Sequence, residues 1–365
     1  MAQGSLLTVL YRKNMIEAIR ELIERAQISV KNRDNLLSLK REISKKYKID
    51  SLLNADIIKE YKRLLSLKLI DSNLILENLL RKRTIRTLSG IAPVAVLTKP
   101  YPCPGTCAYC PRQKKVPVSY LSNEPAVMRA IRCGYHPYTQ TASRLRALEN
   151  NGHQPEKIEL IVIGGTWSYL PVKYKYWYVL NCFRAANDYL SFGELKKSPY
   201  RSTLHTAELK RLLLWEQKKN EKARYRIIGL TLETRPDYIN TKELEEMRLL
   251  GCTRVEMGVQ ITDDNILTLN RRGHGVKEIA EATALLKKYG FKITYHIMPA
   301  LPGSNPKLDF QLFSGLFKDE RFQPDQIKFY PTVVTAGSLL YKWYQQGKYK
   351  PYSDKVLQKL IIKFR

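Results

Sequence analysis

The distribution of apolar positions divides the chain into two stretches of different rhythm. Up to about residue 85, hydrophobic side chains recur every three or four positions, as in Met15-Ile-Glu-Ala-Ile-Arg-Glu-Leu-Ile23, and again from Leu64 to Leu80. That spacing places them on one face of a helix. No Gly or Pro interrupts from Ser5 to Ser89, so the stretch predicts a compact helical bundle. From Gly90 onward, short apolar runs alternate with helical patterns. The runs predict strands at Ala92–Leu97, Ile158–Gly164, Arg226–Leu232, Arg254–Gln260, Lys292–Met298 and Gln326–Tyr330. Helices are predicted between them, at Glu124–Cys133, Lys242–Leu250, Lys277–Tyr289 and Leu308–Lys318. Six strands with helical crossovers imply a parallel sheet with helices outside it. The fold class expected is α/β: a six-stranded partial TIM-like (β/α)6 barrel preceded by a small basic α-helical domain, with domains at residues 1–85 and 86–365. Chemistry in such barrels sits at the C-terminal strand ends.

Composition narrows the picture. At 365 residues and 44% hydrophobic, the chain has ample core for one large and one smaller domain. Its longest apolar runs fall well short of the ~20 residues of a membrane span, and Met1-Ala-Gln-Gly-Ser5 carries no secretory signature. Cys133, Cys182 and Cys252 are scattered and form no disulfide framework, so a reducing, cytoplasmic setting without a membrane partner is expected. The charge is more informative. Lys and Arg number 62 against 34 Asp and Glu, a net +28, which points to a polyanionic partner, most often nucleic acid. The 23 tyrosines could offer stacking surfaces for unpaired bases. Arg81-Lys-Arg-Thr-Ile-Arg86 lies just before the barrel. It reads either as a solvated basic face or as a phosphate-binding run, with Arg81, Lys82, Arg83 and Arg86 as candidate RNA contacts.

The chemistry-bearing pattern is Tyr101-Pro-Cys-Pro-Gly-Thr-Cys-Ala-Tyr-Cys-Pro111, which places Cys103, Cys107 and Cys110 in a C-x3-C-x2-C triplet after the first strand. Three thiolates suit a [4Fe–4S] cube with one open iron, since a fully ligated cube needs a fourth cysteine. Half a zinc site or three buried cysteines are the alternatives, although structural zinc sites usually pair C-x2-C elements and no second pair exists here. The second strand runs into Gly164-Gly-Thr166, where two glycines let the backbone approach a ligand. The third ends in Leu232-Glu-Thr-Arg-Pro-Asp237, the fourth at Gln260, the fifth at His296 and the sixth in Lys328-Phe-Tyr330. Arg235 is suited to bidentate contact with a carboxylate or phosphate, or to a plain ion pair with a neighbouring acid.

Taken in order, these motifs resemble the catalytic subunit of Elongator, a family of radical S-adenosylmethionine tRNA wobble-uridine acetyltransferases. The matching runs include Arg86-Thr-Leu-Ser-Gly-Ile-Ala92, Asn123-Glu-Pro-Ala-Val-Met-Arg-Ala-Ile-Arg132, Gly229-Leu-Thr-Leu-Glu-Thr-Arg-Pro-Asp237, Gly251-Cys-Thr-Arg-Val-Glu-Met-Gly-Val-Gln260, Arg272-Gly-His274 and Asp325-Gln-Ile-Lys-Phe-Tyr-Pro-Thr332. The resemblance runs from about Arg81 to Ser353. It implies that Cys103, Cys107 and Cys110 ligate the cluster. It also implies that Gly164, Gly165, Thr166, Glu233, Arg235 and Gln260 contact S-adenosyl-L-methionine, that Lys157 meets acetyl-CoA, and that Lys328 and Tyr330 face the reacting atoms as catalytic groups. In the family, a 5′-deoxyadenosyl radical takes hydrogen from the acetyl methyl of acetyl-CoA, and the carbon radical adds to carbon 5 of the wobble uridine in the tRNA anticodon stem-loop. Hydrolysis then leaves a carboxymethyl group. Many members space the first two cysteines more widely and carry Gly-Gly where this chain has Arg112-Gln113. The family's C-terminal acetyltransferase domain has no counterpart in these 365 residues; a separate acetyltransferase domain or Elongator-like subunits are therefore expected partners. Another radical S-adenosylmethionine enzyme, or a tRNA-binding protein with a relict cluster, is the competing reading.

Overall fold

The computed structural model describes residues 3–190 and 198–364. The chain forms two compact units. The described residues of the first are 3–93, 142–157 and 189–190. Its helices are α1 (Gln3–Ser29), α2 (Arg33–Lys46), α3 (Asn54–Ser66) and α4 (Leu74–Leu80). Leu22, Ile23, Ile43, Ile57 and Leu76 lose all solvent contact in its core, as the one-sided apolar spacing requires.

One expectation fails. Leu64 to Leu80 is not continuously helical, because α3 ends at Ser66 and Lys68 turns into the left-handed region at φ 56°. The cause is the polar run Asp71-Ser-Asn73. Asn73 caps α4 by accepting from the Leu76 N–H at 3.0 Å, and its own N–H donates to the Tyr61 hydroxyl at 2.7 Å. Such local bonding by Asn favours a helix start over helix interior.

The second unit carries a single sheet in the order β1 (Ala92–Leu97), β2 (Lys157–Ile163), β3 (Arg226–Thr234), β4 (Arg254–Gln260), β5 (Lys292–Ile297) and β6 (Gln326–Phe329). Every strand falls within two residues of its expected bounds. The register is parallel from β3 to β6, with Leu232 opposite Val255, Met257 opposite Tyr295 and His296 opposite Lys328. The sheet curls into a half-barrel of the expected (β/α)6 kind, and β4 is buried at every position from Val255 to Val259, as a parallel strand covered on both faces must be.

The crossovers hold α5 (Pro125–Arg132), α6 (Pro137–Asn150), α7 (Val172–Asp188), α8 (Thr206–Asn220), α9 (Thr241–Leu249), α10 (Asp264–Leu269), α11 (Val276–Lys288) and α12 (Pro306–Lys318). Beyond β6 lie α13 (Leu339–Gln345) and α14 (Asp354–Lys363). Among the described residues no helix is long and apolar enough to cross a membrane.

Candidate active site at the strand ends

The cysteine loop leaves the C-terminal end of β1, and its second cysteine is the best embedded. Cys107 is buried, and its sulfur receives the Arg272 Nη1 donor at 3.3 Å and that of Arg235 at 3.9 Å. Both guanidinium groups are themselves buried. A bond shared with Cys110, helped by Arg272 and Arg235 and opposed by burial, holds the Cys107 thiol well below its ordinary range. The same bond, together with burial, pushes Cys110 well up. The two opposite shifts favour the thiolate on the sulfur the arginines face. Cys103 lies 3.8 Å from the Thr166 hydroxyl, and Cys110 lies 3.4 Å from that of Ser119.

Arg235 is committed from several sides. It grips Asp237 through two donors at 2.9 and 2.8 Å and donates to the Arg272 carbonyl at 2.6 Å. Gly105 brings the cysteine loop so close to this guanidinium that a side chain there would collide with it. Arg272, in turn, donates to the His274 ring at 3.2 Å and to the Gly258 carbonyl. Sequence reasoning placed Arg235 toward a ligand carboxylate; the folded chain spends most of its donors within the protein, on the side facing Cys107.

At the end of β2, Gly164 and Gly165 have φ of +135° and +103°. A Cβ on Gly164 would strike the Thr98 hydroxyl, whereas one on Gly165 would meet nothing nearer than the Val118 carbonyl at 4.0 Å. The first glycine lets two loops pack and the second leaves open space beside Thr166. Gln260 closes β4 in the left-handed region at φ 72°, where the β4–β5 register shifts, and its Oε1 is buried without a hydrogen-bond partner among the described residues.

Deeper in the barrel lies a network that the strand-end motifs only partly disclose. Glu256, 2% exposed in the middle of β4, accepts from Lys328 Nζ at 2.5 Å and lies 3.0 Å from His296 Nε2. The other nitrogen of that ring lies 3.9 Å from Glu233, whose carboxylate accepts from the Tyr120 hydroxyl at 2.8 Å. Tyr330 meets His296 edge-on at 5.2 Å between ring centres. Burial opposes ionisation of Glu256, but bonds from His296 and Lys328 outweigh it and hold the carboxyl below its usual value. Burial and Glu233 push the Tyr120 hydroxyl well up, so it remains a donor. Glu256 and Tyr120 were missed as site residues; a lone carboxylate inside the apolar run Val255-Glu-Met-Gly-Val259 was the available signal, since buried charge demands partners.

Three cysteines, Gly164 to Thr166, Glu233, Arg235, Gln260, Lys328 and Tyr330 are thus gathered at the C-terminal strand ends. Lys157 is not: it opens β2, exposed, ~20 Å of strand away from Gly164. Arg81, Lys82, Arg83 and Arg86 line a cleft of the first unit.

Residues 101–308 match the family described as the radical SAM superfamily, and residues 324–365 match a radical SAM C-terminal domain. The chain belongs to the radical SAM superfamily. Its kinship with Elongator catalytic subunits is borne out. It is 44% identical over 280 residues to a tRNA uridine(34) acetyltransferase of Dehalococcoides mccartyi, covering 77% of this chain and 57% of that one. It is 37% identical to the human Elongator complex protein 3, covering 78% and 50%. The solved structure of the archaeal Methanocaldococcus infernus Elp3, lacking residues 1–46, superposes with a TM-score of 0.60 at 34% identity, over 75% of this chain and 53% of that one. The chain spans about half the length of the curated relatives it matches.

Membership in the radical SAM superfamily implies a [4Fe–4S] cluster and S-adenosylmethionine. The donor set fits in kind: three thiols on one loop, one of them favoured as thiolate by two guanidinium groups, and an unpartnered amide oxygen at Gln260.

Proposed function

We propose that this chain is the radical domain of a tRNA wobble-uridine acetyltransferase. In this reading the cluster, when bound, would supply reductive cleavage of S-adenosylmethionine, and acetyl-CoA would be the two-carbon donor to carbon 5 of the wobble uridine, with CoA released by hydrolysis to leave carboxymethyluridine. Cys103, Cys107 and Cys110 hold the cluster. Gly164, Gly165 and Thr166 offer backbone amides and a hydroxyl to the methionine moiety, with Glu233 and Gln260 as further contacts. Arg235 and Arg272 keep positive charge against Cys107, which favours its thiolate. Glu256 holds Lys328 and His296 in place, so that an amine, an imidazole and the Tyr330 hydroxyl are available as proton donors and acceptors around the reacting atoms.

The observation that carries this reading is the convergence of the cysteine loop, the Gly164–Thr166 turn and the Glu256 network on the C-terminal ends of one parallel sheet. The relatives' names supply the substrate, and the net charge of +28 suits an RNA. Acetyl-CoA is the proposed co-substrate, with its contact at Lys157 away from the mouth. A separate acetyltransferase domain or Elongator-like subunits are the proposed partners.

Anaerobic reconstitution followed by reductant, S-adenosylmethionine, tRNA and acetyl-CoA tests the reading. It expects 5′-deoxyadenosine, and carboxymethyl-type uridines at the wobble position by nucleoside mass spectrometry. Deoxyadenosine formed equally without tRNA or acetyl-CoA, together with unchanged wobble uridines in cells lacking the gene, would overturn it.

A further inference from the structure

The first unit contains a hollow of about 800 Å³. Six cations line it, Arg33, Lys40, Arg81, Lys82, Arg83 and Arg86, and among the described residues no Asp or Glu does. Elsewhere in the same unit, carboxylates accompany the arginines, as Glu60 does Arg20 and Arg63. The segment is also held in place. The Lys82 N–H donates to the Asn151 carbonyl at 3.0 Å, Arg81 Nε donates to the Gly152 carbonyl at 3.2 Å, and Arg83 sits in the left-handed region at φ 54°. Burial, with the charge of the nearby Lys82 added to it, brings the Lys40 amine down to about 8. Unneutralised cations around a concavity repel one another, and a bound anion relieves that repulsion.

The remaining lining separates two kinds of anion. A duplex backbone is convex and meets basic ridges, whereas this hollow has the size of a small-molecule pocket. Leu36, Leu37 and Leu79 give it an apolar wall, and Asn78 adds an amide, those of Asn54 and Asn151 being bonded to the Leu80 and Ala147 carbonyls. Aliphatic surface has no use for a phosphate but covers the face of a base, and amides read base edges. We propose that the cleft seats one unstacked nucleotide of an RNA, with its phosphate among Arg81, Lys82, Arg83 and Arg86 and its base against the three leucines. This rests on the RNA substrate proposed above and adds a site for it outside the cysteine loop.

The test is fluorescence anisotropy on the full chain with three probes: a labelled unpaired heptaribonucleotide, the same strand annealed to its complement, and a whole tRNA. The single strand is expected to bind at least tenfold more tightly than the duplex. Leu37→Ser should weaken the single strand several-fold while leaving its salt slope unchanged; Asn78→Ala, at an exposed position, repeats the measurement should Leu37→Ser fail to fold. The double variant R83Q/R86Q should lower the salt slope by up to roughly 0.7, the value for one phosphate contact on a single strand. Equal binding of strand and duplex, or no effect of either uncharged variant, would overturn the nucleotide pocket while persistent tRNA binding left the substrate reading intact. Displacement of the heptamer by coenzyme A at lower concentration than by unlabelled heptamer would also overturn it, reassigning the cleft to that nucleotide. Loss of all RNA binding by the unmodified chain would sink both.

Discussion

The barrel mouth and the cleft of the helical unit are both rich in charge, and they treat it in opposite ways. At the mouth every buried charge has a counterpart: Arg235 with Asp237, Arg272 with Cys107, and Glu256 with both Lys328 and His296. In the cleft six cations face one another with no carboxylate between them among the described residues. A buried ion without a partner costs several kcal/mol, so a site that excludes water must neutralise its own charges. A solvated cleft can leave them for a ligand, at a cost that screening keeps small. On the two proposals above, the contrast separates a region that holds reactive groups still from one that receives an anion.

The comparison breaks most completely at the cysteine loop. Cys107→Ala removes the thiolate that Arg272 and Arg235 face, and is expected to abolish both cluster assembly and deoxyadenosine formation, read as iron per chain and by chromatography. Cys133→Ser, outside the triplet, should retain both. Next in size is Glu256→Ala, which leaves Lys328 and His296 without their shared carboxylate. A loss of about 3 kcal/mol is expected in urea unfolding. Because the Glu256 carboxyl lies below its ordinary 4.5 in the folded chain, its contribution is complete above that pH and disappears as pH falls through the lowered native value. The acid limb of the stability curve should therefore be shallower in the variant.

A smaller effect distinguishes the two glycines. Gly164→Ala collides with Thr98 in addition to adopting an unfavourable φ, whereas Gly165→Ala bears only the backbone strain. The first should cost about 1–3 kcal/mol and weaken S-adenosylmethionine binding in equilibrium dialysis more than the second. The smallest effect belongs to the cleft. A bound anion raises the Lys40 pKa from about 8, so RNA affinity should be level below that pH and fall above it, by at most about tenfold per pH unit. Lys40→Met should flatten the profile. Its amine otherwise contacts the Leu52 carbonyl and Asn54, with Lys82 as the charged neighbour.

The sheet was legible because parallel strands are short apolar runs bounded by turns, and β1 and β4 match their expected limits at both ends. The helix break after Ser66 was not, because apolar spacing continues across it while one Asn side chain redirects the backbone. The helix α7 was not specified because Tyr174, Tyr176, Trp177 and Tyr178 blur its polar and apolar faces. In the site, the strand-end residues announced themselves by position, while the function of Arg235 depended on where Asp237, Arg272 and Cys107 meet in space. Glu256 was hidden by its own strand: sequence spacing says that it is buried but not which cations come to it from β5 and β6.

The left-handed turn at Gln260 has a consequence for anyone altering this site. The Met298 N–H holds the Gln260 carbonyl at 2.8 Å, so strand pairing there is carried by main chain and not by the side chain. The amide is accordingly an exchangeable head on a fixed mount. Asn or Gly, which tolerate that backbone region, should shorten or delete the head with the sheet kept intact, so position 260 is the place to test the proposed ligand contact without rebuilding the barrel.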